Sequence, residues 1–407
     1  MIKFNSIFVL YCSILGLLVG AIGALFLLVV NELIHFVWVT IPESTGIPFY
    51  PLVIGIVGAL LIGLMHSKIG EKYPKTMHDV LAEYKQTKRV AYKKEVSKNV
   101  FSSLLILALG ASVGPEAALS GIIGGLITWV GDRMKLTMRK RDELVKVGIG
   151  AMISTIFHAP LAGMGEAFED SAESYQHKYV KYILYGLTTA FGYVGFQLVR
   201  MIFPSEGVFA IRFSEIKWEK EILLFVIPAL IIGMLFGNFF NWCEKICDNL
   251  VKNISSVYFR ALIGGVVLGI LGIASPYFLF SGEHQMAELT ANALSYSPLF
   301  LLALGFGKSF LTHIGFATGW RGGKIFPAIF ASAAVGFAFV GLVPYTPGVL
   351  VSIITTASVT IILGSPIVAI TLLLFLFPIQ FILVILLVAF LTISIQNKFI
   401  KKAVSAE

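Results

Sequence analysis

Two stretches, Gly110-Ala-Ser-Val-Gly-Pro-Glu116 and Gly322-Gly-Lys-Ile-Phe-Pro327, set glycine and proline inside apolar runs. A continuous helix does not tolerate such a stretch, whereas a break between two half-helices needs one. A helix that begins inside a membrane leaves its first N–H groups without partners and points the positive end of its dipole into the protein, where it suits an anion. Proline just inside each start costs no hydrogen bond. Gly114, Gly322 and Gly323 let backbone approach an ion closely, since they carry no Cβ. Arg321 and Lys324 flank the second break. Cationic side chains at membrane depth are usually functional, although these two could instead snorkel or pair with Glu283.

Glu116 follows the helix-initiating Pro115 and supports two readings. It is either an N-terminal acid favoured by the helix dipole, worth up to about 1 kcal/mol, or a gate that fills the anion site when ionised and leaves when protonated. His158, before Ala159 and Pro160 at another break, fits a neutral imidazole that satisfies freed backbone groups. Glu166, Glu169, Asp170 and Glu173 recur at helical spacing and could conduct protons or end a helix in water. Ser281-Gly-Glu-His-Gln-Met-Ala-Glu288 breaks a further apolar region without the HExxH spacing of a zinc peptidase. Cys12, Cys243 and Cys247 suggest neither a disulfide framework nor a metal cluster. No catalytic constellation is visible, which argues against an enzyme and calls for no cofactor or metal.

Such breaks need a membrane around them. The chain is 57% hydrophobic and 13% charged, where soluble domains run nearer a quarter charged. Apolar runs of spanning or half-spanning length recur at about 7–39, 51–66, 100–130, 147–168, 180–203, 221–241, 259–280, 298–317, 325–343, 347–377 and 379–396. The first is too long for a cleaved signal peptide. The net charge of +8 is scattered between these runs, which speaks for topology and against nucleic acid. Short cytoplasmic loops collect Lys and Arg, and the linkers Lys68–Lys98 and Arg133–Lys146 are the basic ones. With both inside, segment 100–130 must enter the membrane and return. The linker 31–50 has no Lys or Arg and belongs outside, while Lys3, Lys398, Lys401 and Lys402 put both termini in the cytoplasm.

The expected fold is therefore an all-α polytopic membrane protein, one transmembrane domain over 1–407 without a cytoplasmic regulatory domain. Its halves, about 10–203 and 221–396, read as repeats. The break and small-residue helix of 112–125 match 322–336 in character, and His158-Ala-Pro-Leu-Ala-Gly163 is echoed by Gly364-Ser-Pro-Ile-Val-Ala369. Matching broken helices in two halves are the signature of a repeat-built channel or transporter with its site at the repeat interface. A carrier for protons or cations, with Glu116, Glu283 and the acidic cluster as ligands, is the alternative.

In this order and spacing the motifs resemble the CLC family of chloride channels and proton-coupled chloride exchangers, in a divergent bacterial branch. Gly110-Ala-Ser-Val-Gly-Pro115 is similar to the family's G-x-x-E-G-P break, Ala159-Pro-Leu-Ala-Gly163 to its N-A-P-L-A-G turn, and Gly319-Trp-Arg-Gly-Gly-Lys-Ile-Phe-Pro327 to its G-G-x-F-x-P break. Ser365-Pro-Ile367 is similar to the second-half counterpart of the A-P-L turn. The resemblance implies inverted repeats of broken and tilted helices, a homodimer in the lipid bilayer with one pore per subunit, and a small inorganic anion, with protons as a coupled ion. Carried over by position, Ser112, Val113, Gly114, Gly323, Lys324, Ile325 and Phe326 would line the anion site. Val113 stands where the family places its gating glutamate, so Glu116 becomes the candidate gate. Asp170 and its neighbour Glu169 fall at the internal proton-transfer position. Gly70-Glu-Lys-Tyr-Pro74 stands where the family has its first anion-binding turn, G-S-G-I-P, and no Tyr follows Tyr345 to supply the inner tyrosine.

Overall fold

The computed structural model describes residues 6–404 apart from 88, 134–137, 157–177, 205–210, 212, 214, 215, 219 and 344–346. Within these the chain is helical: α1 Ser6–His35, α2 Ile41–Thr45, α3 Tyr50–Ile69, α4 Met77–Thr87, α5 Glu95–Ala108, α6 Glu116–Arg133, α7 Met138–Ile156, α8 Lys178–Ile202, α9 Leu223–Val251, α10 Val257–Ala274, α11 Gln285–Asn292, α12 Pro298–Ala317, α13 Ile325–Val340, α14 Pro347–Leu363, α15 Pro366–Leu376 and α16 Ile382–Val404. Seven described helical segments are long and apolar enough to cross a membrane.

Run 100–130 is broken as expected, α5 ending at Ala108 and α6 starting at Glu116. The second break gives way to α13 at Ile325, two residues before Pro327. Run 347–377 divides at Gly364, whose φ of +68° ends one helix before Ser365 starts the next by accepting the Val368 N–H at 3.2 Å. Several runs differ from expectation at their ends: the helix over run 147–168 already starts at Met138, and that over run 259–280 stops at Ala274. The first run of the chain passes through a π-helical turn, Phe36–Thr40, into the short α2, and run 221–241 continues to Val251 because Glu244, Lys245 and Asp248 extend the helix beyond its apolar part. The expected break at His158 lies outside the described residues.

Helices α6 and α13 are buried along almost their whole length, and the others pack around them. Close approach comes from small residues, which substitute for the missing hydrophobic drive between helices in lipid. Gly16 and Gly20 of α1 lie on Thr188 and Gly192 of α8, where a Cβ on Gly20 would run into the Gly192 carbonyl. Gly55 of α3 and Gly265 of α10 meet in the same way. Gly20→Leu is therefore expected to lower the thermal unfolding midpoint in detergent by roughly 5 °C or more through overpacking. The exposed Leu198→Ala should leave it unchanged; equal midpoints for both variants would contradict the packing.

Each break is pinned by an indole. Trp38 donates from Nε1 to the Ala108 carbonyl at 3.0 Å, and its ring fills the space beside Gly110, whose φ is +82°. Trp320, fully buried, donates to the Ala261 carbonyl at 2.9 Å and fixes the second break between α3 and α10.

Candidate anion site

The two breaks meet. Gly114 N–H donates to the Gly323 carbonyl and Gly323 N–H to the Gly114 carbonyl, both at 2.8 Å, forming a two-residue antiparallel bridge between the halves of the chain. Interrupted backbone in a dry interior must satisfy its polar groups, and here each break supplies what the other lacks.

Glu116 opens α6 at 1% exposure. Its Oε1 accepts the N–H groups of Ile325 at 3.0 Å and of Phe326 at 3.1 Å, while Oε2 has no hydrogen-bond partner among the described residues. A carboxylate from one half thus caps the helix that begins in the other, taking two of the orphan donors at its positive end. Charge-assisted bonds of this type are roughly twice as strong as neutral ones. The cradle depends on both glycines, because a Cβ built on Gly323 or on Gly114 would overlap Oε2 of Glu116.

Of the residues singled out from the sequence, Ile325 and Phe326 direct their N–H groups to this position. Three others do not. Val113 N–H turns back to the Ala111 carbonyl at 2.8 Å, and the Gly114 and Gly323 N–H groups are spent on the bridge. These engagements have one cause: the two breaks pair with each other. Ser112 is engaged with α12, its Oγ 3.2 Å from Thr312 Oγ1, which in turn donates to the Ser112 carbonyl at 3.0 Å. Lys324 extends away to Glu244 at 2.6 Å and lies over the Phe316 ring at 4.2 Å. Arg321 reaches Asp79 and the Glu71 carbonyl, each at 3.2 Å. Neither pairs with Glu283, which lies across the bridge from them. Glu169, Asp170 and the rest of that acidic cluster lie outside the described residues.

Cavities flank the bridge. One of about 920 Å³ reaches Glu116, Gly323 and Ile325 and is bordered by Lys72, Arg260, Arg321 and Lys324, with Glu71, Asp79, Glu244 and Asp248 among them. The other, about 30 Å³, lies against Val113 and Pro115 and is closed by Asn31, Ser281, Glu283 and His284. Val113 packs against Gly322, where a Cβ would meet its side chain, so the bridge and this contact separate the two spaces. Among the described residues no group of three or more His, Cys, Asp or Glu is placed to hold a metal, and Cys12, Cys243 and Cys247 are free and buried.

Several positioning residues escaped sequence reasoning. His66 reaches the Gly319 carbonyl from Nε2 at 2.8 Å and steadies the second break, where φ at Gly319 is +97°. Thr312 holds the first break from α12. Lys308, one turn earlier on α12, is wholly buried. A lone Lys within run 298–317 was a usable signal for it, since an ionisable residue at membrane depth is a functional candidate by default.

The model of the voltage-gated chloride channel family matches residues 58–397. Among curated proteins the chain is 24% identical over 349 residues to "Putative ion-transport protein YfeO" of Escherichia coli O7:K1, covering 83% of this chain and 81% of that one. It is 26% identical over 250 residues to the protein of the same name from Escherichia fergusonii, covering 61% and 58%. Among solved structures it superposes on a slow cyanobacterial Cl-/H+ antiporter with a TM-score of 0.78 at 19% identity, over 97% of this chain and 94% of that one. A CLC-type fluoride/proton antiporter gives a TM-score of 0.75 at 17% identity, over 97% of both chains. With the broken-helix architecture in place and a family match across most of its length, the chain belongs to the voltage-gated chloride channel family.

Proposed function

We propose that the protein moves a small inorganic anion, chloride the first candidate, across the cell membrane, and that Glu116 gates it by competing with the ion for the N–H groups of Ile325 and Phe326. One observation carries this reading: a fully buried carboxylate oxygen already occupies those donors at anion-like distances of 3.0 and 3.1 Å. A cation ligand would instead share its site with carbonyls or other carboxylates, so the geometry disfavours a cation carrier. The larger cavity opens beside the segment 71–79, within the basic linker read as cytoplasmic, which makes it the inner approach to Glu116 in this reading.

Two solved relatives exchange an anion for protons. We extend that coupling to this chain, with Glu116 taking up a proton as it leaves the amides and Glu169 and Asp170 as inner stations. The working unit is a homodimer of inverted repeats, with both termini cytoplasmic. The test is flux from liposomes carrying the purified protein, across chloride, fluoride and nitrate gradients with pH followed on both sides. Anion efflux accompanied by opposed proton movement is expected. Sodium or potassium flux with no anion flux would overturn the proposal.

A further inference from the structure

Lys308 presents a problem that the pore reading leaves open. Its side chain is wholly buried in α12, and no described residue gives it a carboxylate. A buried ammonium without compensation is prohibitively unfavourable. Its compensation here is backbone alone: four carbonyls surround Nζ and share its three N–H groups, those of Tyr277 at 3.0 Å, Phe278 at 3.0 Å, Leu279 at 2.9 Å and Phe280 at 2.6 Å. Carbonyls only accept, so what suits this cage is a group that carries donors alone, as an ammonium does. The Phe330 ring, one turn beyond Phe326 on α13, closes the cage with its centroid 5.2 Å from Nζ.

Four successive carbonyls do not converge by default. The first two belong to a 3-10 turn, Pro276–Phe278, that follows α10, Leu279 caps that turn, and the convergence ends with Phe280 at φ +57°, a conformation disfavoured for an aromatic residue. The same segment is tied to the first break, since Phe280 N–H donates to the Gly110 carbonyl at 3.0 Å. Just beyond it, Ser281 and Glu283 form the wall of the small cavity facing Val113 and Pro115.

We infer that residues 277–280 form a monovalent-cation cage that the chain fills with its own ammonium, and that Lys308 acts as a positioning residue holding the wall at Ser281–Glu283 against the first break. Rings of backbone carbonyls at such distances are how proteins hold potassium-sized ions. Shortening the side chain should therefore leave a site that a small cation can occupy. The flux consequence rests on the proposed anion transport; the cage itself does not.

The test is a titration of purified Lys308→Ala with ethylammonium, potassium or sodium, against N-methylglucamine as a cation too large to enter. The variant should unfold at a lower temperature than wild type and recover by about 5 °C as the cation saturates, while wild type moves by less than about 1 °C. In liposomes its anion flux should fall by about tenfold and recover at least in part with ethylammonium. Lys308→Ser serves as host for the same titration if the alanine variant does not accumulate. Lys308→Met with wild-type midpoint and flux, or a truncated variant indifferent to every cation, would overturn the inference. If wild type itself carries no anion, the transport reading fails, and the cation dependence of the unfolding midpoint still decides the cage.

Discussion

Replacing Glu116 by Gln is expected to raise anion flux by about ten- to a hundredfold at neutral pH and to abolish its pH dependence. The magnitude follows from the bonds. Oε1 accepts two N–H groups, and exchanging a charged for a neutral acceptor weakens each by about 1 kcal/mol, which together shifts occupancy by one to two decades. The sign follows from what the carboxylate does. Ionised, it holds the amides and excludes the anion; protonated, it binds them less well and yields. Wild-type flux should therefore rise as pH falls, whereas the Gln variant should be fast at every pH and move anion without protons. Glu116→Ala, which vacates the donors entirely, should behave likewise. Electrode measurements of chloride release at two pH values decide it, and a Gln variant with wild-type rate and wild-type pH response would remove Glu116 as the gate.

Gly323→Ala should act in the opposite direction, cutting flux by about tenfold or more. A methyl group there occupies the position of Oε2 of Glu116 and cannot be absorbed by the bridge, whose two 2.8 Å bonds fix the backbone on both sides. Overpacking of this kind costs about 1–3 kcal/mol. The informative comparison is made without the gate. If the glycine merely makes room for the carboxylate, Gly323→Ala will have no effect in a Glu116→Ala background. If it makes room for the ion, the double variant will be far slower than Glu116→Ala alone, and this second result is the one expected. Because the two residues touch, their effects should be strongly non-additive, and the double-mutant cycle measures by how much.

The fold was readable to the extent that its signals are local. Gly-x-x-x-Gly-Pro-Glu at 110–116 and Gly-Gly at 322–323 break helices through their own backbone chemistry, and the helices stop and start there within about two residues of expectation. What those breaks touch was not readable. Gly114 pairs with Gly323, and Glu116 with Ile325 and Phe326, through contacts between distant parts of the chain that no spacing encodes. Seven residues were assigned to the anion site by their place in the motifs; that Ser112, Val113, Gly114 and Gly323 also make the hydrogen bonds that hold the breaks together is something no motif spells out. Lys324 was expected to line the anion site, or else to snorkel or pair with Glu283. Its partner is Glu244 at the far end of α9, beyond the point where the apolar run seemed to stop. The ambiguity over Glu116 itself had the same origin: an acid after a helix-starting proline looks identical in sequence whether it caps its own helix or another one.

The competition at Ile325 and Phe326 can be seen directly. Crystals of Glu116→Gln and of wild type, grown near neutral pH in bromide, would locate the halide by its anomalous signal. In the variant a bromide is expected within hydrogen-bonding reach of the Ile325 and Phe326 nitrogens, and in wild type the Glu116 carboxylate should hold that place with the halide absent or much weaker. Bromide elsewhere in the pore of both proteins, with residue 116 still seated on those two nitrogens, would contradict the account.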